Sequence, residues 1–178
     1  MRKRLVLWEL CGFFFVAAIG TLLHFVYDWT GGSALAAAFS AVNESTWEHM
    51  KLLFFPMFFF ALAEAGALGN KYQNFWSAKL IGILLGLALI PTLYYTYTGV
   101  TGLSLAWLNI AIFYVSAAIA YLAEARLLSC GRISGGTVQL GSAALLWLMA
   151  VIFVVLTWFP PHIPLFLDPI TGQYGLHK

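Results

Sequence analysis

Polar residues along this chain fall in clumps, and apolar stretches run between the clumps. A helix needs about 20 mostly apolar residues to cross a bilayer. Five stretches reach that length, at approximately 5–27, 51–68, 78–97, 103–128 and 137–159. The breaks between them carry turn residues, such as Thr30-Gly31-Gly32-Ser33, Gly69-Asn70-Lys71 and Gly99-Val100-Thr101-Gly102. The stretch 30–42 is too short to span and reads as a surface or re-entrant helix. The first apolar run follows Met1-Arg2-Lys3-Arg4, as a signal peptide would. It is longer than the usual apolar region of about 7–15 residues and lacks a small-x-small cleavage site, so a retained helix is expected.

Composition strengthens this reading. The 178 residues are 62% hydrophobic and 9% charged, against about 25% charged in an ordinary soluble domain. So few charges cannot cover a water-soluble globule, and the expected fold is an all-α membrane protein, a compact bundle of five transmembrane helices. One integral membrane domain is expected over 1–178, in the cell membrane, with lipids as its surroundings. A net charge of +2 offers no nucleic-acid footprint. The two cysteines, Cys11 and Cys130, do not make a disulfide framework.

Basic residues favour the cytoplasmic side of a membrane protein. With the amino terminus inside and the carboxyl terminus outside, Arg2, Lys3, Arg4, Lys71, Lys79, Arg126 and Arg132 fall inside. Only Lys51 and Lys178 fall outside. This threading gathers polar residues at the outer face: His24 and Asp28, the segment 43–51, Tyr95 and Tyr97, and the tail residues His162, Asp168 and Tyr174.

Each cluster carries a bland reading beside a chemical one. Ser45-Thr46-Trp47-Glu48 spells a capping box, in which Ser45 and Glu48 would satisfy each other's backbone amides. Trp47 suits an interfacial aromatic belt. Capping assigns no task to Glu44, His49 or Lys51. Glu48 and Lys51 are spaced for an i,i+3 pair, worth about 0.2–0.5 kcal/mol if exposed. His24 and Asp28 are spaced i,i+4, and a carboxylate one turn away orients an imidazole. His24, Asp28, Glu44, Glu48, His49, Tyr95 and Tyr97 are therefore the candidate ligand-binding residues. His24, Glu44, Glu48 and His49 are candidate ligands for a divalent metal, for which imidazole and carboxylate are suited. Their spacing matches no HExxH or repeated ExxH signature.

The tail, 160–178, is rich in proline and apolar residues, and a structured lid is expected, with His162, Asp168 and Tyr174 in it. Glu9 and Glu64 fall inside the first two spans, where acids are functional candidates by default. Glu124, close to Arg126, is expected to be solvated or to snorkel. Gly82 and Gly86 spell G-x-x-x-G, which permits close helix packing.

At "HFVYDW" (24–29), "NESTWEHMKLLFFPM" (43–57) and "DPITGQYG" (168–175) the chain resembles a family of small bacterial multi-pass membrane proteins catalogued only as a domain of unknown function. The resemblance covers nearly the whole chain and implies an integral membrane protein. It supplies no catalytic residues. Three functional readings remain open: an extracytoplasmic pocket that binds or transports a small molecule or ion, a metal-assisted membrane enzyme acting on a lipid or small molecule, and a structural or partner-binding subunit. Neither the ligand nor the oligomeric state is legible.

Overall fold

The computed structural model describes residues 2–176, so Lys178, the outermost charge in the orientation count, lies outside the described residues. Six α-helices appear: α1 (Arg2–Trp29), α2 (Ala34–Phe39), α3 (Thr46–Glu64), α4 (Phe75–Thr101), α5 (Ala106–Cys130) and α6 (Gly136–Trp158). A π-helical turn, Ala65–Gly69, extends α3. A 3-10 turn, Pro164–Phe166, sits in the tail. All but α2 are long and apolar enough to span a bilayer. Backbone polar groups find no water inside a bilayer, and a helix pairs them internally. The chain is thus a multi-pass helical membrane protein.

Helices α1, α3 and α4 start before the apolar runs do, whereas α5 starts after its run, at Ala106. The third begins at Thr46, because Ser45 Oγ accepts a hydrogen bond from the Glu48 amide at 3.4 Å and caps it. The reciprocal half of the capping box is absent. The Ser45 amide donates instead to Asn43 Oδ1 at 2.9 Å, and Glu48 Oε2 accepts from the Val42 amide at 3.1 Å. The short helix α2 is not a free surface element, since Ala37 and Ala38 are buried.

Helix α3 is the hub, packed against α1, α4 and α6, and its face from Leu52 to Phe58 is wholly buried. Outward residues of α1, α5 and α6 are large and apolar, including Phe14, Leu122, Trp147 and Val151. In water such a surface would be an anomaly, whereas in lipid it costs nothing. Pro56 lies inside α3 and has no amide to bond the Leu52 carbonyl. Gly20 of α1 packs against that carbonyl. A Cβ there would stand 2.8 Å from the Leu52 oxygen and 2.5 Å from Phe113 Cζ.

Gly82 and Gly86 face α5 as the small-x-x-x-small spacing implies, with Glu124 over Gly82 and Ala120 over Gly86. Gly20→Ala is expected to lower stability by about 1–3 kcal/mol through overpacking against backbone that cannot move aside. Gly99→Ala, where the added methyl meets nothing within 4 Å, is the matched control. Thermal melts in detergent compare them, and equal melting would show that α1 and α3 are not packed at Gly20.

Candidate functional site

Polar side chains gather at two levels of the bundle, marked on α1 by Glu9 and by His24. Those two positions lie about 22 Å apart at about 1.5 Å per residue.

At the His24 level, three elements converge. Helix α1 supplies His24, the α2–α3 connection supplies Glu44, and the first turn of α3 supplies His49. His24 Nε2 lies 3.5 Å from Glu44 Oε1, and His49 Nε2 lies 3.6 Å from Glu44 Oε2. The two imidazole rings stand 5.4 Å apart, edge to face. His24 therefore pairs with Glu44, and not with Asp28, which is exposed on the same helix. Although i,i+4 spacing allows the Asp28 contact, the connection before α3 delivers a carboxylate more directly to the ring. His24 holds the Glu44 carboxyl below the usual carboxylate range; partial burial opposes this, and the field of His49 adds to it.

The backbone carrying Glu44 is held on several sides. Asn43 Nδ2 donates to the Gly175 carbonyl at 2.9 Å, tying the connection to the tail. Glu48 grips the Val42 amide. His49 Nδ1 lies 2.9 Å from the Ser45 carbonyl, which can only accept, so Nδ1 carries the proton and Nε2 is left facing Glu44.

Glu48 itself belongs to a different set. It pairs with Lys51 at 2.5 Å, and both side chains are buried. The pair that the i,i+3 spacing allows is thus buried, and Glu48, engaged by Lys51, stands outside the His24–Glu44–His49 group. Lys51 Nζ also donates to the Ala37 carbonyl at 2.9 Å and to Thr157 Oγ1 at 3.0 Å, so α2, α3 and α6 meet on one ammonium. Trp47, expected in an interfacial belt, is sandwiched between Phe153 at 4.4 Å and Phe166 at 4.5 Å. Stacking between α6 and the tail leaves it partly buried.

The tail is folded. Leu167 and Tyr174 form an antiparallel bridge, and buried Asp168 accepts from the Ile170 amide and the Thr171 hydroxyl. His162 stacks on Tyr174 with ring centres 4.6 Å apart and remains exposed. None of these three tail residues reaches the His24–Glu44–His49 group with a hydrogen bond or ion pair among the described residues. Tyr95 donates to the Pro164 carbonyl at 3.1 Å, and Tyr97 bonds Asn109, so both tyrosines act as ties between elements.

Two cavities, of about 330 and 400 Å³, share Glu44, His49, Ala106, Asn109 and Phe113. One runs beneath Pro169 and Ile170 of the tail. The other runs between α1 and α5, where Phe25 and Ile110 are exposed on the lipid-facing side. Asn109 and Phe113 were not legible as pocket residues, because their only sequence signal is a position near the start of the fourth span.

At the Glu9 level the arrangement is more concentrated. Lys79 Nζ lies 3.1 Å from Glu9, 2.5 Å from Glu64 and 2.6 Å from Glu124, so four helices meet on one buried ammonium. Its charge also sits 5.6 Å from the Phe75 ring and 5.7 Å from the Tyr121 ring. Glu9 and Glu64 are buried as intramembrane acids should be. Glu124 is only 1% exposed, which overturns its assignment as solvated, and Lys79 is no surface charge either. The neighbouring Arg126 suggests a solvated helix end, but it is Lys79 that pairs with Glu124, through Oε2. A sequence signal for this exists: alternate threading puts Glu9, Glu64, Lys79 and Glu124 near one level.

A family model described as "Family of unknown function (DUF6512)" matches residues 2–176. The chain belongs to this family. No curated protein and no solved structure matches the chain. Membership in the family agrees with the resemblance carried by the 24–29, 43–57 and 168–175 segments, and it assigns no reaction to any residue.

Proposed function

We propose that this membrane protein takes up a small amphipathic molecule in the pocket at its His24 level. The supporting observation is that the two adjacent cavities share Glu44, His49 and Asn109 in their linings. Most of the lining is apolar, and the few polar groups converge at one point, as in sites that orient a ligand by one end. The lateral cavity reaches the lipid-facing surface beside Phe25 and Ile110, giving an apolar tail a route in from the bilayer. With the amino terminus in the cytoplasm, the polar end of the pocket faces outward. The ligand is then held at the outer surface or passed inward, and the Lys79 cluster lies on the inner part of that route, where its glutamates would carry protons.

A spin-labelled stearate is a suitable probe. Wild-type protein in detergent is expected to immobilise part of the label, and Ile110→Trp, which fills the lateral opening, is expected to abolish that component. Leu122→Trp, on a lipid-exposed position of the same helix, controls for an added indole. A folded Ile110→Trp variant that immobilises the label as well as wild type would sink the proposal.

A further inference from the structure

We infer that His24, Glu44 and His49 form a binding site for one divalent transition-metal ion, set beside the lining that the two cavities share. One ligand atom from each of these residues lies within 4.8 Å of the other two. In tetrahedral zinc sites, bonds of about 2.0–2.2 Å place neighbouring ligand atoms about 3.3–3.6 Å apart. The two imidazole–carboxylate separations, 3.5 and 3.6 Å, have that size. They are too long for good hydrogen bonds, which run about 2.7–3.2 Å.

The orientation of His49 is an independent argument. Its Nδ1–H is spent on the Ser45 carbonyl, 2.9 Å away. In the neutral ring Nε2 is then a lone pair, and it faces a carboxylate oxygen, also an acceptor. Two acceptors aimed at each other need a proton or a metal cation between them, and at 3.6 Å the gap is wider than a good hydrogen bond and matches a shared metal ion. A backbone carbonyl holding the far nitrogen is also the usual outer support of a metal-bound histidine. The carboxylate spans the gap, with Oε1 toward one ring and Oε2 toward the other. Both rings are only partly buried, so a modest rotation closes the remaining edge around an ion.

Two imidazoles and one carboxylate suit zinc, ferrous iron or manganese, and they exclude the oxygen-only preference of calcium and magnesium. Three protein ligands leave a coordination position open, as in catalytic rather than structural zinc sites. Asn109 and Phe113 line both cavities beside the triad. The ion's binding stands on the triad alone; its role toward a ligand rests on the proposed pocket.

The test uses full-length protein in detergent, stripped with a chelator and titrated with zinc and, separately, with cobalt as a visible-absorption reporter. One ion per chain is expected, with a cobalt spectrum characteristic of nitrogen and oxygen ligands. Changes in outer-shell partners already cost about 10–100-fold in affinity, so Glu44→Gln and His49→Ala are each expected to cost at least about 100-fold. Asp28→Ala, outside the triad, is expected to bind as wild type. Glu44→Gln keeps the shape of the side chain and guards against a variant that merely misfolds. Failure of the stripped wild type to bind a stoichiometric ion overturns the inference, as does equal affinity in folded Glu44→Gln, which would mark binding as adventitious. If zinc fails to bind while the stearate probe is still immobilised, the metal site falls and the pocket stands. If zinc binds while the probe stays free, the metal site stands and the pocket falls.

Discussion

Lys79→Met is expected to destabilise the protein by about 3–5 kcal/mol, the usual cost of breaking a buried ionic network by removing one partner. Lys79 is the only cation within ion-pair distance of Glu9, Glu64 and Glu124 among the described residues, and all three are buried. One ammonium balances one carboxylate, so the cluster as a whole already sits close to the limit of what the bundle interior tolerates. Methionine fills much of the lysine volume, which confines the effect to charge and hydrogen bonding. For a chain of this size each kcal/mol corresponds to about 2–4 °C in Tm, so melting should fall on the order of 10 °C. Lys71→Met, at an exposed position, should leave Tm unchanged. A double variant, Lys79→Met with Glu124→Gln, is expected to recover part of the loss, because one orphaned carboxylate becomes neutral. An unchanged melt for Lys79→Met would mean that the glutamates do not depend on this ammonium.

The second large effect is expected at Lys51. Its side chain is fully buried and all three ammonium protons have partners: Glu48, the Ala37 carbonyl and Thr157. Lys51→Met should cost a similar ~3–5 kcal/mol, since it strands the Glu48 carboxylate and two further acceptors. The consequences differ from those at Lys79 because Glu48 also holds the Val42 amide, two residues before Glu44. Loss of Lys51 is therefore expected to loosen the connection and weaken ion binding at the triad, whereas Lys79→Met should lower stability with little change in affinity. Zinc titration of both variants, at a temperature where each remains folded, separates the two roles. Equal zinc affinity in Lys51→Met and wild type would show that Glu48 does not position Glu44.

Glu48→Gln offers a finer comparison. The amide oxygen can still accept from Val42 and Lys51, so the smaller loss it produces measures charge and not connectivity. The Ser45 cap is independent of both, since it uses the backbone amide of residue 48.

Much of the membrane architecture was legible along the chain because lipid imposes a length and an apolarity that no soluble helix needs. Helix α6 shows the limit of that signal: its span is apolar on every side, so its sequence does not say which face meets α4 and which meets lipid. The boundaries moved for a local reason. Thr46 to His49 look like loop in a hydropathy reading, yet the Ser45 cap and the Lys51 pair allow a polar first turn to be helical.

The pocket residues were partly legible. Threading placed His24, Glu44 and His49 on one side, and their polarity made them conspicuous. Their partners were not, because local spacing favours i,i+4 neighbours such as His24 and Asp28, while the fold brings Glu44 from 20 residues away. Lys79 and Glu124 escaped a local reading for a related reason. A charge near the end of a span is read as reaching water, and only the packing of four helices shows that its nearest partner is another side chain.

By itself, then, the sequence determined that the chain crosses a membrane with five helices and that its few polar groups concentrate at particular levels, because each follows from local composition and chain order. The tertiary structure alone decided which charges neutralise each other, that Glu48 is bound to Lys51 and so lost to the pocket, and that Glu44 stands between two imidazoles. Those outcomes depend on distances of a few ångströms between segments far apart in the chain, and in a low-dielectric interior such distances govern whether a polar group is stabilised or stranded.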